Sequence, residues 1–175
     1  GTNPETMLAA TQTAERLGWH SALATDHLLV DSAARAQDYR HIYEALTSVA
    51  WLAGQTTTIR LGMSVLVAPM RNAVVMAKEL ATVDALSDGR LIAGVGIGWN
   101  QVEFESVGEG ERFQHRGVWL EETIALWRHL WSGASGPYRG RFDGWDEGFF
   151  SPLPVQGEEL PIWIGATADR ALRRT

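Results

Sequence analysis

Apolar residues along this chain recur in two alternating rhythms. Asn3 offers a helix cap and Pro4 a first helical residue, and Met7, Ala10, Ala14 and Leu17 then keep a helical period up to Gly18. Ser21 to Thr25 is short and apolar, too brief for another helix, and reads as a buried strand ending at Asp26-His27. A loop with Asp31, Ser32 and several alanines follows. Ile42, Ala45, Leu46, Val49, Leu52 and Ala53 then trace a one-sided helix closed by Gly54. Residues 59–67, rich in β-branched side chains and stopped by Pro69, form a second predicted strand. A third helix runs from Asn72 through Met76, Leu80 and Val83 to a turn at Ser87-Asp88-Gly89, and residues 90–96 give a third strand.

After that strand the alternation breaks. A polar stretch leads to a helix with Leu120, Ile124, Trp127 and Trp131 on one stripe, and a segment rich in glycine, proline and aromatics fills about 132–160. Residues 161–165 read as another core strand, and Ala168 to Thr175 as the start of a helix. Strand-helix units of about 30 to 40 residues, with strands apolar on both faces, are the pattern of parallel βαβ units. The predicted class is therefore α/β. A closed (β/α)8 TIM barrel takes about 250 residues, and four strands are countable in 175 residues. The expectation is a single domain over 1–175 forming a partial barrel, with one strand missing before the first helix, about three after the last, and an excursion at 132–160. An open doubly wound sheet is the alternative.

Composition narrows the partners. A hydrophobic share of 45% with 21% charged residues is ordinary for a globular chain. The net charge of -6 and the lack of any long basic cluster argue against nucleic acid. No apolar run approaches the roughly 20 residues of a spanning helix, so no membrane partner is expected and a cytoplasmic location is the default. With 0 cysteines, thiolate chemistry and disulfides are excluded. No histidine and carboxylate grouping has metal-ligand spacing, so no metal site is expected.

Three places carry candidate chemistry. Asp26-His27 lies at the C-terminal end of a strand, where barrels of this kind place their active sites, and a histidine there can exchange a proton near neutral pH. The alternative is a solvated loop histidine. Gly94, Gly96 and Gly98 have G-x-G-x-G spacing with no helix directly after, so a dinucleotide fingerprint is disfavoured. Such glycines permit either close approach of a flat ring or phosphate, or simple strand-helix packing. Gly165-Ala166-Thr167 lies where a strand gives way to a helix, so its N–H groups could face an anion. His20, His41, His115 and His129 are read as surface or helix-face residues, Glu121-Glu122 and Asp146-Glu147 as solvated charges, and the tryptophans 119, 127, 131 and 163 as core.

Taken together, Ala24-Thr25-Asp26-His27-Leu28, Trp51-Leu52-Ala53-Gly54, Ile59-Arg60-Leu61-Gly62 with Val65-Leu66-Val67, Lys78-Glu79-Leu80-Ala81-Thr82 with Asp84, Gly89-Arg90-Leu91 with residues 94–99, Glu103-Phe104, Arg116-Gly117 and residues 161–165 resemble the luciferase-like monooxygenase class. Within it the chain is most similar to the branch of oxidoreductases that use the deazaflavin coenzyme F420. The resemblance implies a (β/α)8 barrel whose second to fifth strands are those counted here, with an insertion after the fourth and a coenzyme across the C-terminal mouth. It implies that His27 handles the proton and that Asp26 contacts the coenzyme. It also implies a bulge with a cis peptide at Ser64-Val65 against the coenzyme's central ring. Val67 falls where relatives can carry a polar coenzyme contact, and its apolar side chain leaves packing or backbone contact. Gly96, Ile97, Gly98 and Trp99 would border the ring, and Gly165, Ala166 and Thr167 its anionic tail. Trp99 departs from the glutamate of deazaflavin sugar-phosphate dehydrogenases, which puts that substrate in doubt. The implied activity is hydride transfer between F420 and a small organic substrate, in a homodimer. An FMN-dependent monooxygenase is the alternative, and a non-enzymatic truncated homologue a further one.

Overall fold

Asn3 and Thr6 exchange hydrogen bonds at the head of the first helix, Thr6 N–H donating to Asn3 Oδ1 at 2.8 Å and Asn3 N–H to Thr6 Oγ1 at 3.1 Å. This reciprocal cap satisfies two of the N–H groups that a helix start leaves open. The computed structural model describes residues 3–29 and 41–166. The expected loop at Asp31 and Ser32, Thr167, and the expected helix over Ala168–Thr175 lie outside the described residues.

In chain order the elements are helix α1 (Pro4–Arg16), strand β1 (Ser21–Ala24), α2 (Ala45–Ala53), β2 (Arg60–Met63), β3 (Leu66–Val67), α3 (Ala73–Leu86), β4 (Leu91–Gly96), α4 (Gln101–Ser106), α5 (Arg116–Trp131), β5 (Tyr138–Arg139), β6 (Gly144–Trp145) and β7 (Ile162–Ile164). Short 3-10 segments cover Ala68–Met70, Gly110–His115 and Gly157–Glu159. The strand expected over 59–67 is in two pieces, parted at Ser64-Val65, where the peptide is cis as the resemblance implies. Both pieces run parallel to β4, with Leu61 opposite Leu91 and Leu66 opposite Val95. β1 lies parallel to β2 and β7 parallel to β4, so four strand positions point one way.

Alternation along these strands divides the side chains between two layers. Leu61, Met63, Leu91, Ala93 and Val95 are buried beneath the helices. The residues between them face the other side of the sheet, where Trp163 stacks on His20 with ring centroids 6.1 Å apart. The helical layer is pinned by two fully buried indoles: Trp127 Nε1 donates to Ala73 O at 2.9 Å and Trp131 Nε1 to Ala77 O at 3.1 Å, joining α5 to α3. These two tryptophans are core, as expected. Trp119 instead stacks on Phe142 and Trp163 stays half exposed.

The excursion is better ordered than its composition suggests. Its β5-β6 hairpin is anchored by Glu122, whose carboxylate accepts the N–H groups of Arg141, Phe142 and Asp143 at 2.7, 2.6 and 2.7 Å. Glu122 is therefore not the solvated charge that sequence suggests. Asp84, completely buried on α3, accepts from Gln156 N at 3.0 Å and Gln156 Nε2 at 2.7 Å, which steers the returning chain into β7.

Candidate active site

Parallel strands that end level with one another leave a rim of loops, and here the rim encloses a cavity of about 490 Å³. That volume lies within the range of about 300–1,000 Å³ typical of small-molecule sites. Asp26, His27, Ser64, Val65, Val67, Gly96, Ile97, Gly98, Trp99, Gly165 and Ala166 all line it, together with Thr25, Glu103 and Arg116. The chain therefore gathers the described candidates of the sequence reading into one hollow, except Gly94, whose missing Cβ instead makes room for the Met63 carbonyl of the neighbouring strand. Among the described residues no other histidine lines it.

The floor is Val65. A Cβ added at Gly96 or at Gly165 would run into the Val65 side chain, so those two glycines let Val65 lie flat between β4 and β7. Neither position tolerates a larger residue without moving the floor. Gly98 turns the chain out of β4 with φ of 73°. The cradle is bare backbone and one aliphatic side chain, a surface suited to the face of a planar ring. Gly165 N–H donates to Val95 O at 2.8 Å, however, so it is spent in the sheet ladder. It cannot face an anion as the sequence reading proposed for the turn at 165–167; Gly165 contributes its missing Cβ instead.

Asp26 is buried, and its two oxygens are taken by protein donors. Oδ2 accepts from Val67 N at 2.8 Å and from Arg71 Nη1 at 2.7 Å, while Oδ1 accepts from Arg71 Nη2 at 2.8 Å. The residue thus fastens the end of β1 to β3 and to the cation on the following turn. Coenzyme contact through that carboxylate, which the resemblance implies, would compete with these bonds. Val67 has its own N–H committed to Asp26 and its carbonyl to Arg71 Nη1 at 3.2 Å, leaving its side chain as cavity wall. Arg71 also reaches Glu44 at 3.2 Å. Burial alone would raise the Glu44 carboxyl, but hydrogen bonds from Thr47 and Leu46 and the Arg71 charge hold it below its ordinary value.

His27 is held by a residue to which sequence reasoning gave no role. Its Nδ1 lies 3.1 and 3.2 Å from the two carboxylate oxygens of Glu103, which is itself only 3% exposed. Glu103 Oε1 also accepts the Leu28 N–H at 2.9 Å. The polar stretch after β4 contains the short α4, started by Asn100, whose side chain accepts from Val102 N at 3.2 Å. That cap places Glu103 in the first turn, aimed at the end of β1. Trp99, 54% exposed, meets the His27 ring edge-on at 5.7 Å. Arg116 also borders the cavity: its Nε donates to Gly98 O at 3.2 Å and its guanidinium lies 4.1 Å over the Phe113 ring. Glu103 and Arg116 both stood within the stretches that carry the resemblance, which was the one available signal for them.

Comparison with known proteins agrees with this geometry. The chain matches the luciferase-like monooxygenase family over residues 1–175. It is 29% identical over 160 residues to the oxygenase component of a flavin-dependent trigonelline monooxygenase of Acinetobacter baylyi, covering 91% of this chain and 42% of that protein. It is 34% identical over 160 residues to an F420-dependent glucose-6-phosphate dehydrogenase of Nocardia farcinica, covering 87% of this chain and 45% of that protein. In fold it is similar to the coenzyme F420-dependent tetrahydromethanopterin reductase of Methanopyrus kandleri, with a TM-score of 0.79 at 20% identity, covering 99% of this chain and 50% of the other. The chain spans about half the length of the relatives it matches.

Proposed function

Because the chain belongs to the luciferase-like monooxygenase family, we propose that it forms part of an oxidoreductase that moves a hydride between coenzyme F420 and a small organic substrate. One observation carries the reading: His27, Trp99 and the flat floor of Val65 with Gly96 and Gly165 converge on a single cavity at the C-terminal ends of the strands. When bound, a deazaflavin supplies a two-electron hydride acceptor or donor. Val65 and the adjoining backbone would bear its ring, with Trp99 as a wall and Arg116 as the cation available to an anionic group. His27 takes or returns the proton that must accompany a hydride when an alcohol becomes a carbonyl or the reverse.

Similarity to a flavin-dependent monooxygenase, 29% identical across 91% of the chain, favours a second reading in which the same cavity holds FMN. Titrating the purified protein with each coenzyme separately, and following tryptophan fluorescence, distinguishes the two. Saturable quenching by F420 alone supports the first reading and by FMN alone the second. Binding of neither supports a non-enzymatic homologue.

A further inference from the structure

We infer that Asp143 makes the β5-β6 hairpin a proton-sensitive clasp, in which taking up a proton seats the hairpin on α5 and losing it loosens the loop. The hairpin meets the body of the fold at one corner. There Phe142 stacks on Trp119 with ring centroids 4.2 Å apart, and the Arg112 guanidinium lies 4.2 Å from the centroid of the same indole. Backbone bonds fasten the loop, since the N–H groups of Arg141, Phe142 and Asp143 all end on the Glu122 carboxylate. A loop held in this way already surrounds one negative charge, and Asp143 brings a second beside it.

Asp143 is half-buried, and its Oδ2 is closed off from solvent with no hydrogen-bond donor among the described residues. The Trp119 Nε1–H is near enough to act on the carboxyl, yet it too is buried without a hydrogen bond of ordinary geometry. Arg112 is the cation that faces Asp143, but it is shared: it pairs with Glu109 at 2.7 Å and donates to Pro69 O at 3.3 Å and Arg71 O at 3.0 Å. An ionised oxygen buried without a donor costs more than a protonated one. Burial foremost pushes the Asp143 carboxyl above its ordinary value, with Arg112 opposing, Glu122 adding and Trp119 opposing. On β5, Tyr138 is pushed up as well, by burial first and then by Glu122 and Asp143. His115 stacks on Phe142 at 6.4 Å, Arg141 lies 4.9 Å over the same ring, and Arg139 and Asp146 pair with each other.

Because water reaches the carboxyl once the loop lifts, the seated hairpin holds the proton more tightly than the open one. Seating therefore strengthens as pH falls toward the carboxylate range and weakens as pH rises. The same corner supports the cavity rim: Arg112 holds the carbonyls of the turn after β3, and Arg116, further along the chain, lines the cavity.

Amide hydrogen exchange at residues 141–143, corrected for the intrinsic effect of pH, tests the clasp in the full chain between about pH 5 and 8. In the wild type, protection should rise as pH falls. Asp143→Asn keeps the shape and removes the charge, so it should slow exchange at the alkaline end by about 5-fold or more and leave it independent of pH. His115→Gln removes the other nearby group that titrates in this window and should keep the wild-type pH dependence. Protection independent of pH in the wild type would overturn the inference, as would a pH dependence that persists in Asp143→Asn or vanishes in His115→Gln. Should Asp143→Asn not fold, the wild type and His115→Gln decide between these outcomes by themselves.

Discussion

Replacing Asp26 with asparagine removes one charge and no heavy atoms, which makes it a sharp probe of what that residue does. All of the protein partners described for the Asp26 carboxylate are donors: Val67 N–H and the two terminal nitrogens of Arg71. An asparagine NH₂ must therefore face a donor, and Arg71 loses its buried charge partner while keeping Glu44 and the Val67 carbonyl, each at 3.2 Å. Removing one partner of a buried ion pair costs about 3–5 kcal/mol. The surviving Glu44 contact and the acceptor oxygen that asparagine retains for Val67 N–H place Asp26→Asn near the lower end, about 3 kcal/mol. With a urea m-value of about 2 kcal/mol/M the midpoint of unfolding falls by about 1.5 M. Tryptophan fluorescence in a urea series measures it. Arg71→Met and the double variant complete a cycle, in which the double substitution should cost less than the sum of the singles by about 1–3 kcal/mol. A loss in Asp26→Asn within about 0.5 kcal/mol, at unchanged m, would refute the anchoring role and return the carboxylate to the coenzyme.

Gly96→Ala puts a Cβ against Val65 and displaces the floor; overpacking of about 1–3 kcal/mol translates to coenzyme binding weakened by about 5- to 150-fold in an equilibrium titration, and unchanged affinity would mean that the floor is not used. Glu15 accepts the N–H groups of Thr58, Ile59 and Thr57, and the Thr58 bond foremost, against opposing burial, lowers its pKa from 4.5 to about 2. Its folded value lies below its unfolded one, so its contribution is present above about 4.5 and lost as pH falls toward 2; urea melts should show Glu15→Gln weaker than wild type at neutral pH, with the gap closing in acid, and a gap independent of pH would contradict this. Glu122→Gln sets an NH₂ against one of three N–H donors in the hairpin loop, and limited proteolysis should cut residues 140–144 faster than in wild type.

Much of the architecture is legible because local rules agree with the tertiary outcome. The Asn3-Pro4 start, the stripe from Ala45 to Ala53 and the buried run of β4 each announce an element without help from the rest of the chain. The short α4 does not, since six residues make fewer than two turns and leave no period to read. The break in the second predicted strand was visible only by resemblance, as nothing in the alternation at Ser64-Val65 marks it. Site residues divide along the same line. His27 is conspicuous by its position at a strand end, whereas Glu103 acts on it across 76 positions of sequence, and Arg71 acts on Asp26 across 45. Neither pairing has a local signature. Charges such as Glu122 look solvated for the same reason: their partners are backbone groups brought near only by folding.

The central claim is that a planar deazaflavin rests on Val65 beside His27. A crystal structure of the chain grown with F420 tests it directly. The account predicts density for a flat tricyclic ring lying against Val65, bordered by Gly96, Gly165 and Trp99. Density for the ring in the groove of about 640 Å³ between α2 and α3, lined by Glu44, Lys78 and Leu86, with the cavity at His27 left empty, would contradict it.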